Sequence, residues 1–286
     1  MMKKAIFLVL LAATALSVYA QPEKDIEIWP GEVPGKEKPK AAAVAKAHDD
    51  GVTRVSEVTN PLLEVFVPDG ETTPKGAVIV FPGGGYNILA IDKEGYEVAE
   101  WFNKQGYMAF VLQYRVPRKR EGALMDAQRA IRVVRENAGK FNIDPNKIGV
   151  LGFSAGGSLA ARLSTRYQDV IYAPIDKTDS LSCRPDFSIL IYPAYLDGGE
   201  DRSLTPELEV TGDTPPMFLF VAADDRHANS SLVMTQALRD EEVPVELHIL
   251  PKGGHGFGMR DGNVAGVTWP PLAATWLDNY ITNGDN

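Results

Sequence analysis

The stretch Ile148-Gly149-Val150-Leu151-Gly152-Phe153-Ser154-Ala155-Gly156-Gly157 runs a short apolar segment into a string of small residues through a single serine. An apolar run of this kind reads as a buried strand, and Ala155 to Arg166 reads as the helix after it. A serine on such a strand-to-helix turn sits in strained backbone with no room for neighbouring side chains, so Gly152 and Gly156 are the residues the turn requires. As a bare pattern the pentapeptide is weak. The strand before it and the close-packed helix start after it make Ser154 a candidate nucleophile.

Outward from this turn the chain alternates. Leu62 to Val67 and Ala77 to Phe81 read as strands, Glu94 to Lys104 as a helix with Val98, Trp101 and Phe102 on one face, Tyr107 to Tyr114 as a strand and Ala123 to Asn137 as a helix. Downstream, Phe187 to Tyr192 and Met217 to Ala222 read as buried strands, Ser230 to Glu241 as a helix, Val245 to Leu250 as the last strand and Thr268 to Ile281 as the closing helix. The alternation predicts an α/β fold with a mostly parallel central sheet flanked by helices. Gln21 to about Gly51 is rich in Pro, Lys, Glu and Ala without a sustained period, and is expected to be a surface lead-in with no chemistry. The expected plan is a signal peptide at 1–20, a lead-in segment at 21–60 and one catalytic domain at 61–286.

The export signal rests on Lys3 and Lys4, the apolar run from Ala5 to Val18 and the small residues around Val18-Tyr19-Ala20. That run is short for a membrane span, and Gln21 stands where a lipid-anchored protein needs cysteine, so a periplasmic or extracellular protein without stable membrane association is expected. Cleavage removes two lysines and no acid, leaving 27 basic and 38 acidic residues and a net charge of −11. A chain this acidic is a poor partner for nucleic acid. Cys183 stands alone, so no internal disulfide can form, and a small buried or loop residue is its simplest reading.

A serine hydroxyl needs an imidazole base, and the imidazole a carboxylate to hold its tautomer. His255 lies in Lys252-Gly253-Gly254-His255-Gly256-Phe257-Gly258, directly after the last expected strand, where a side chain can reach over the carboxyl edge of the sheet. His48, His227 and His248 are weaker candidates by position. Asp224 and Asp225 end the strand Met217 to Ala222, and periodicity does not choose between them. Pro82-Gly83-Gly84-Gly85, after the strand Ala77 to Phe81, offers backbone amides to an oxyanion, and the Ala155 amide offers another. No Gly-Lys-Ser/Thr ending suggests nucleotide binding and no His-Glu-x-x-His or Cys-x-x-Cys suggests a metal, so neither cofactor nor metal is expected.

With these blocks in order, the chain from about Ala77 onward resembles the α/β-hydrolase superfamily, and within it the esterases related to hormone-sensitive lipase and to bacterial acetylxylan esterases. The resemblance is carried by Phe81-Pro82-Gly83-Gly84-Gly85-Tyr86, the Ser154 block, Ala222-Ala223-Asp224-Asp225 and Gly253-Gly254-His255-Gly256-Phe257-Gly258. It implies an α/β-hydrolase fold, Asp225 as the acid with Asp224 in reserve, and Gly84 and Gly85 as oxyanion donors. Two departures stand out: Pro82 replaces the histidine that often precedes the glycines, and Arg226-His227-Ala228 replaces the usual apolar residues after the acid. The interval between Tyr192 and Met217, mostly the irregular stretch Leu196 to Pro216, leaves little room for a cap.

Together these features predict an exported serine carboxylic-ester hydrolase, with acetylated plant polysaccharide such as xylan as its expected substrate. A general short-chain carboxylesterase or a feruloyl esterase is the alternative within the class. A serine peptidase of the prolyl type lacks its propeller here, and a non-catalytic binding module conflicts with the intact Ser154 and His255. Tyr86, Tyr195 and Phe257 adjoin the expected active-site loops and could stack on sugar rings or simply pack.

Overall fold

The computed structural model describes residues 22–282 except 37, 71 and 72; the expected signal peptide lies outside the described residues. Eleven strands are described: β1 (Lys24–Glu27), β2 (Val44–Ala47), β3 (Thr53–Ser56), β4 (Leu62–Phe66), β5 (Ala77–Phe81), β6 (Leu89–Ala90), β7 (Met108–Gln113), β8 (Ile148–Phe153), β9 (Ser188–Ile191), β10 (Met217–Ala222) and β11 (Val245–Leu250). The helices are α1 (Glu97–Lys104), α2 (Arg120–Glu136), α3 (Ala155–Thr165), α4 (Ala228–Asp240) and α5 (Val264–Leu277).

The main sheet has the order β1-β4-β7-β5-β8-β9-β10-β11. From β7 to β11 every pairing is parallel, while β4 runs antiparallel to both β7 and β1. Strands β5, β8, β9 and β10 are buried along their whole length, which is why their sequences are unbroken apolar runs rather than alternating ones. Because β5 and β8 are neighbours, the loop after β5 and the turn after β8 meet at the carboxyl edge, where parallel sheets bind ligands.

The expected strands of the sheet fall within a residue or two of those observed. The lead-in differs. It holds β1, which joins the main sheet, and β2 and β3, which form a small antiparallel sheet with β6. Most of the segment is exposed, as expected, but Ile28, Trp29 and Val33 are buried, and Trp29 donates its indole N–H to Asp126 Oδ1 at 2.8 Å, which anchors the lead-in to the core. The closing helix also starts earlier than expected, because Asn263 caps it by accepting from the Ala265 and Gly266 amides, and it carries Pro270 and Pro271 inside. Among the described residues, only a short turn at Glu200–Arg202 interrupts the irregular stretch between β9 and β10, so no cap domain stands over the edge. None of the described helices is long and apolar enough to cross a membrane.

Candidate active site

Ser154 sits between β8 and α3 with φ 51° and ψ −113°, a conformation that L-residues avoid. The turn is close-packed on both sides: a Cβ on Gly152 would lie 2.1 Å from Gly156 O, and one on Gly156 would lie 2.0 Å from Phe81 O. Ser154 N–H donates to Ile191 O at 3.1 Å and its carbonyl accepts from Ala194 N–H at 3.0 Å, which fixes the turn to the end of β9.

His255 Nε2 lies 2.7 Å from Ser154 Oγ, and its Nδ1 lies 2.6 Å from Asp225 Oδ2. The three side chains form a continuous hydrogen-bonded chain at the carboxyl edge. Asp225 Oδ1 also accepts the His227 amide at 2.9 Å. Burial raises the Asp225 carboxyl, but the hydrogen bonds from His255 and the His227 amide outweigh it and hold the group below the ordinary aspartate value. Asp224 does different work: its Oδ1 accepts the Gly253 and Gly254 amides at 3.0 and 2.8 Å, tying down the loop that carries His255. Of the two aspartates between which periodicity does not choose, Asp225 is the one whose carboxylate meets the imidazole.

Gly84 and Gly85 stand beside Ser154 with φ 138° and 64°, and a Cβ on Gly84 would lie 2.0 Å from Ile88 O. Among the described residues their amides have no hydrogen-bond acceptor. Ala155 opens α3, so its amide is among those that intrahelical bonding leaves over. The anchoring that a histidine at position 82 would provide comes from two other groups. Tyr114 OH donates to Pro82 O at 2.6 Å, and Gly83 N–H donates to Glu94 Oε2 at 2.9 Å.

Glu94 is the residue that sequence reasoning misses. Buried at the floor of the cleft, it takes the Tyr192 hydroxyl on Oε1 at 2.8 Å, and Tyr192 in turn accepts Gly258 N–H at 2.9 Å. One carboxyl thus links the glycine run to the histidine loop. Burial pushes its carboxyl above the ordinary range despite the bonds from Tyr192 and Gly83. The signal was available: Glu94 shares the helical face of Val98, Trp101 and Phe102, and an acid on an apolar face needs a reason.

The cleft around Ser154 is lined by Asp50, Val52 and Arg54 from the lead-in, together with Ile88, Ala90, Lys93, Tyr195, Arg226 and His227. The expectation that the lead-in carries no part of the site is thus corrected. His227 is outside the hydrogen-bonded chain, yet its ring lies 5.1 Å from that of His255, and burial followed by the His255 charge lowers its pKa. His48 is exposed on the lead-in, and His248 bonds Glu246 at 2.7 Å. Cys183 is buried, and burial raises its thiol. Phe257 packs against Tyr192 at 4.3 Å and Tyr86 is buried, so of the three aromatics only Tyr195 borders the cleft. Among the described residues no group of His, Cys, Asp and Glu is arranged to hold a metal ion.

The sheet order and the hydrogen-bonded serine, histidine and aspartate at its carboxyl edge are those of an α/β-hydrolase. The chain is 34% identical over 221 residues to an acetylxylan esterase of Xylanibacter ruminicola, covering 68% of this chain and 43% of that protein. It is 33% identical over 228 residues to endo-1,4-beta-xylanase B of Butyrivibrio fibrisolvens, covering 68% and 35%. The chain spans less than half the length of these curated relatives. A crystal structure of an acetyl ester-xyloside bifunctional hydrolase from Caldicellulosiruptor lactoaceticus matches with a TM-score of 0.76 and 33% identity, over 92% of this chain and 98% of that one. The BD-FAE family model matches residues 63–186. The chain belongs to the esterases of the α/β-hydrolase superfamily.

Proposed function

We propose that the chain is an exported serine esterase that removes O-acetyl groups from plant polysaccharide such as xylan. His255 takes the proton of Ser154 as its Oγ attacks the ester carbonyl, and Asp225 steadies the imidazolium. The amides of Gly84, Gly85 and Ala155 receive the oxyanion. The sugar hydroxyl leaves with the proton from His255, and water then cleaves the acetyl-enzyme by the same steps in reverse.

The observation that carries this reading is the 2.7 Å and 2.6 Å chain from Ser154 through His255 to Asp225, in an uncapped cleft whose walls are largely polar. Asp50, Arg54, Lys93, Arg226 and His227 suit a hydroxyl-rich alcohol, while the few apolar groups, Val52, Ile88 and Ala90, suit a short acyl group. The similar proteins point the same way: an acetylxylan esterase, a xylanase and an acetyl ester-xyloside hydrolase. Acetate release from acetylated xylan, measured beside acetyl, butyryl and feruloyl model esters, tests it. Acetate from the polymer and a preference for acetyl are expected. Brisk cleavage of butyryl or feruloyl esters with no acetate from xylan would overturn the substrate. Export is tested by the N-terminal mass of the protein recovered outside the cytoplasm, which is expected to begin at Gln21.

A further inference from the structure

We infer that a second cavity at the same sheet edge is a subsite for a carboxylate-bearing sugar, a uronic acid, on the chain whose acetyl ester lies at Ser154. This rests on the carbohydrate reading above. The cavity measures about 320 Å³ and lies between Val33, Gly35, Lys36 and Lys38 of the lead-in and the segment Arg115–Gly122, which is the loop after β7 and the first turn of α2. Since β7 is parallel to β5, and β5 to β8, that loop emerges on the same edge as the glycine run and Ser154.

The cavity and the cleft share a wall. Arg118 N–H donates to Tyr86 O at 2.6 Å, and the Arg120 guanidinium lies 5.2 Å from the Tyr86 ring and 4.9 Å from the Tyr195 ring. Tyr195 in turn lines the cleft around Ser154. A polymer bound across Tyr195 therefore reaches both.

The charge of the cavity is opposite to that of the protein. Among the described residues, Lys36, Lys38, Arg115, Arg118, Lys119 and Arg120 line it against Glu57 and Glu121, and Lys36 pairs with Glu32, in a chain of net charge −9. Both carboxylates are engaged: Glu57 with Lys38 at 2.8 Å, Glu121 with Arg166 at 3.9 Å. Arg115 is locked onto buried Asp126 at 2.9 Å. Among the described residues no carboxylate pairs with Arg118 or Arg120, and both are exposed. Two guanidiniums in a concave site are suited to bidentate contact with a carboxylate. Val33, Val58, Val116, Pro117 and Met125 add apolar surface for the C–H face of a pyranose.

The test compares acetate release from two acetylated xylo-oligosaccharides of equal length, one with a glucuronic acid branch and one without, in low and in high salt. The ratio of their kcat/KM values is expected to favour the acidic oligosaccharide about tenfold at low salt and to shrink in high salt. Arg118→Ala is expected to bring the ratio toward one, and Arg118→Lys to restore part of it. A ratio of one or below in the unmodified protein, or one unmoved by both Arg118→Ala and Arg120→Ala, overturns the subsite alone. No acetate from either oligosaccharide, with model acetyl esters still cleaved, overturns the carbohydrate reading and the subsite with it.

Discussion

At the scale of single residues, the two adjacent aspartates give a sharp contrast. Asp225→Asn removes the acceptor that fixes the His255 tautomer, and kcat is expected to fall on the order of 10⁴-fold, whereas Asp224→Asn retains an oxygen for the Gly253 and Gly254 amides and is expected to lose less than about tenfold. Steady-state kinetics on an acetyl model ester checks both; equal losses would contradict the assignment. Glu94→Ala strands the Gly83 amide and the Tyr192 hydroxyl in a buried site, which costs about 1–3 kcal/mol for each. It is expected to lower both the urea midpoint and kcat, since the glycine run and the His255 loop lose their common anchor. Ser154, His255 and the glycines are legible because each needs a residue type in a particular backbone setting. Asp225 over Asp224 is not legible from spacing, because adjacent residues at a strand end differ only in where their side chains turn. Glu94 hides for a different reason: its partners, Gly83, Tyr192 and through it Gly258, come from three separate loops.

At the scale of elements, the parallel sheet is legible because its strands are buried on both faces and appear as unbroken apolar runs. The lead-in is not, since β1, β2 and β3 are four residues each and largely solvent-facing, too short for a period to emerge. Its hold on the domain is tertiary. Trp29 is buried against Asp126, and Arg129 from α2 donates to Ile28 O at 2.9 Å while pairing with Asp176 at 2.6 Å. Trp29→Ala is expected to destabilise the protein by about 3–5 kcal/mol in urea denaturation, a loss that a surface wrapping would not show. The start of α5 misleads in a similar way. Pro270 and Pro271 invite a late start, but the Asn263 cap sets it several residues earlier, and the same side chain donates to Gly253 O at 2.8 Å. Helix start and histidine loop are thereby held by one residue, and Asn263→Ala is expected to cost about 1 kcal/mol of stability.

For the whole molecule, the balance of buried and paired acids sets the response to pH. Hydrogen bonds from Arg129 hold Asp176 down to about 2 against the effect of burial. A carboxyl that is more acidic in the folded state contributes stability that is fully present above its unfolded value, about 4, and is lost as pH falls through the folded value. Asp176→Asn is therefore expected to cost about 1 kcal/mol at pH 6, after allowance for the partial exposure of the pair, with the difference closing toward pH 2. Urea denaturation at the two pH values checks it. Glu94 and Asp126 act in the opposite sense: burial raises both, so the stability they confer declines as pH rises from the ordinary carboxylate value toward their folded values. All of this framework serves to hold one serine in a strained turn between an imidazole and a set of free amides. The direct test is to trap that serine with a fluorophosphonate and locate the adduct by peptide mass spectrometry. The adduct is expected on Ser154 alone, and it should disappear, together with ester hydrolysis, in Ser154→Ala. Label on another residue, or ester hydrolysis that persists in Ser154→Ala, would contradict the proposed mechanism.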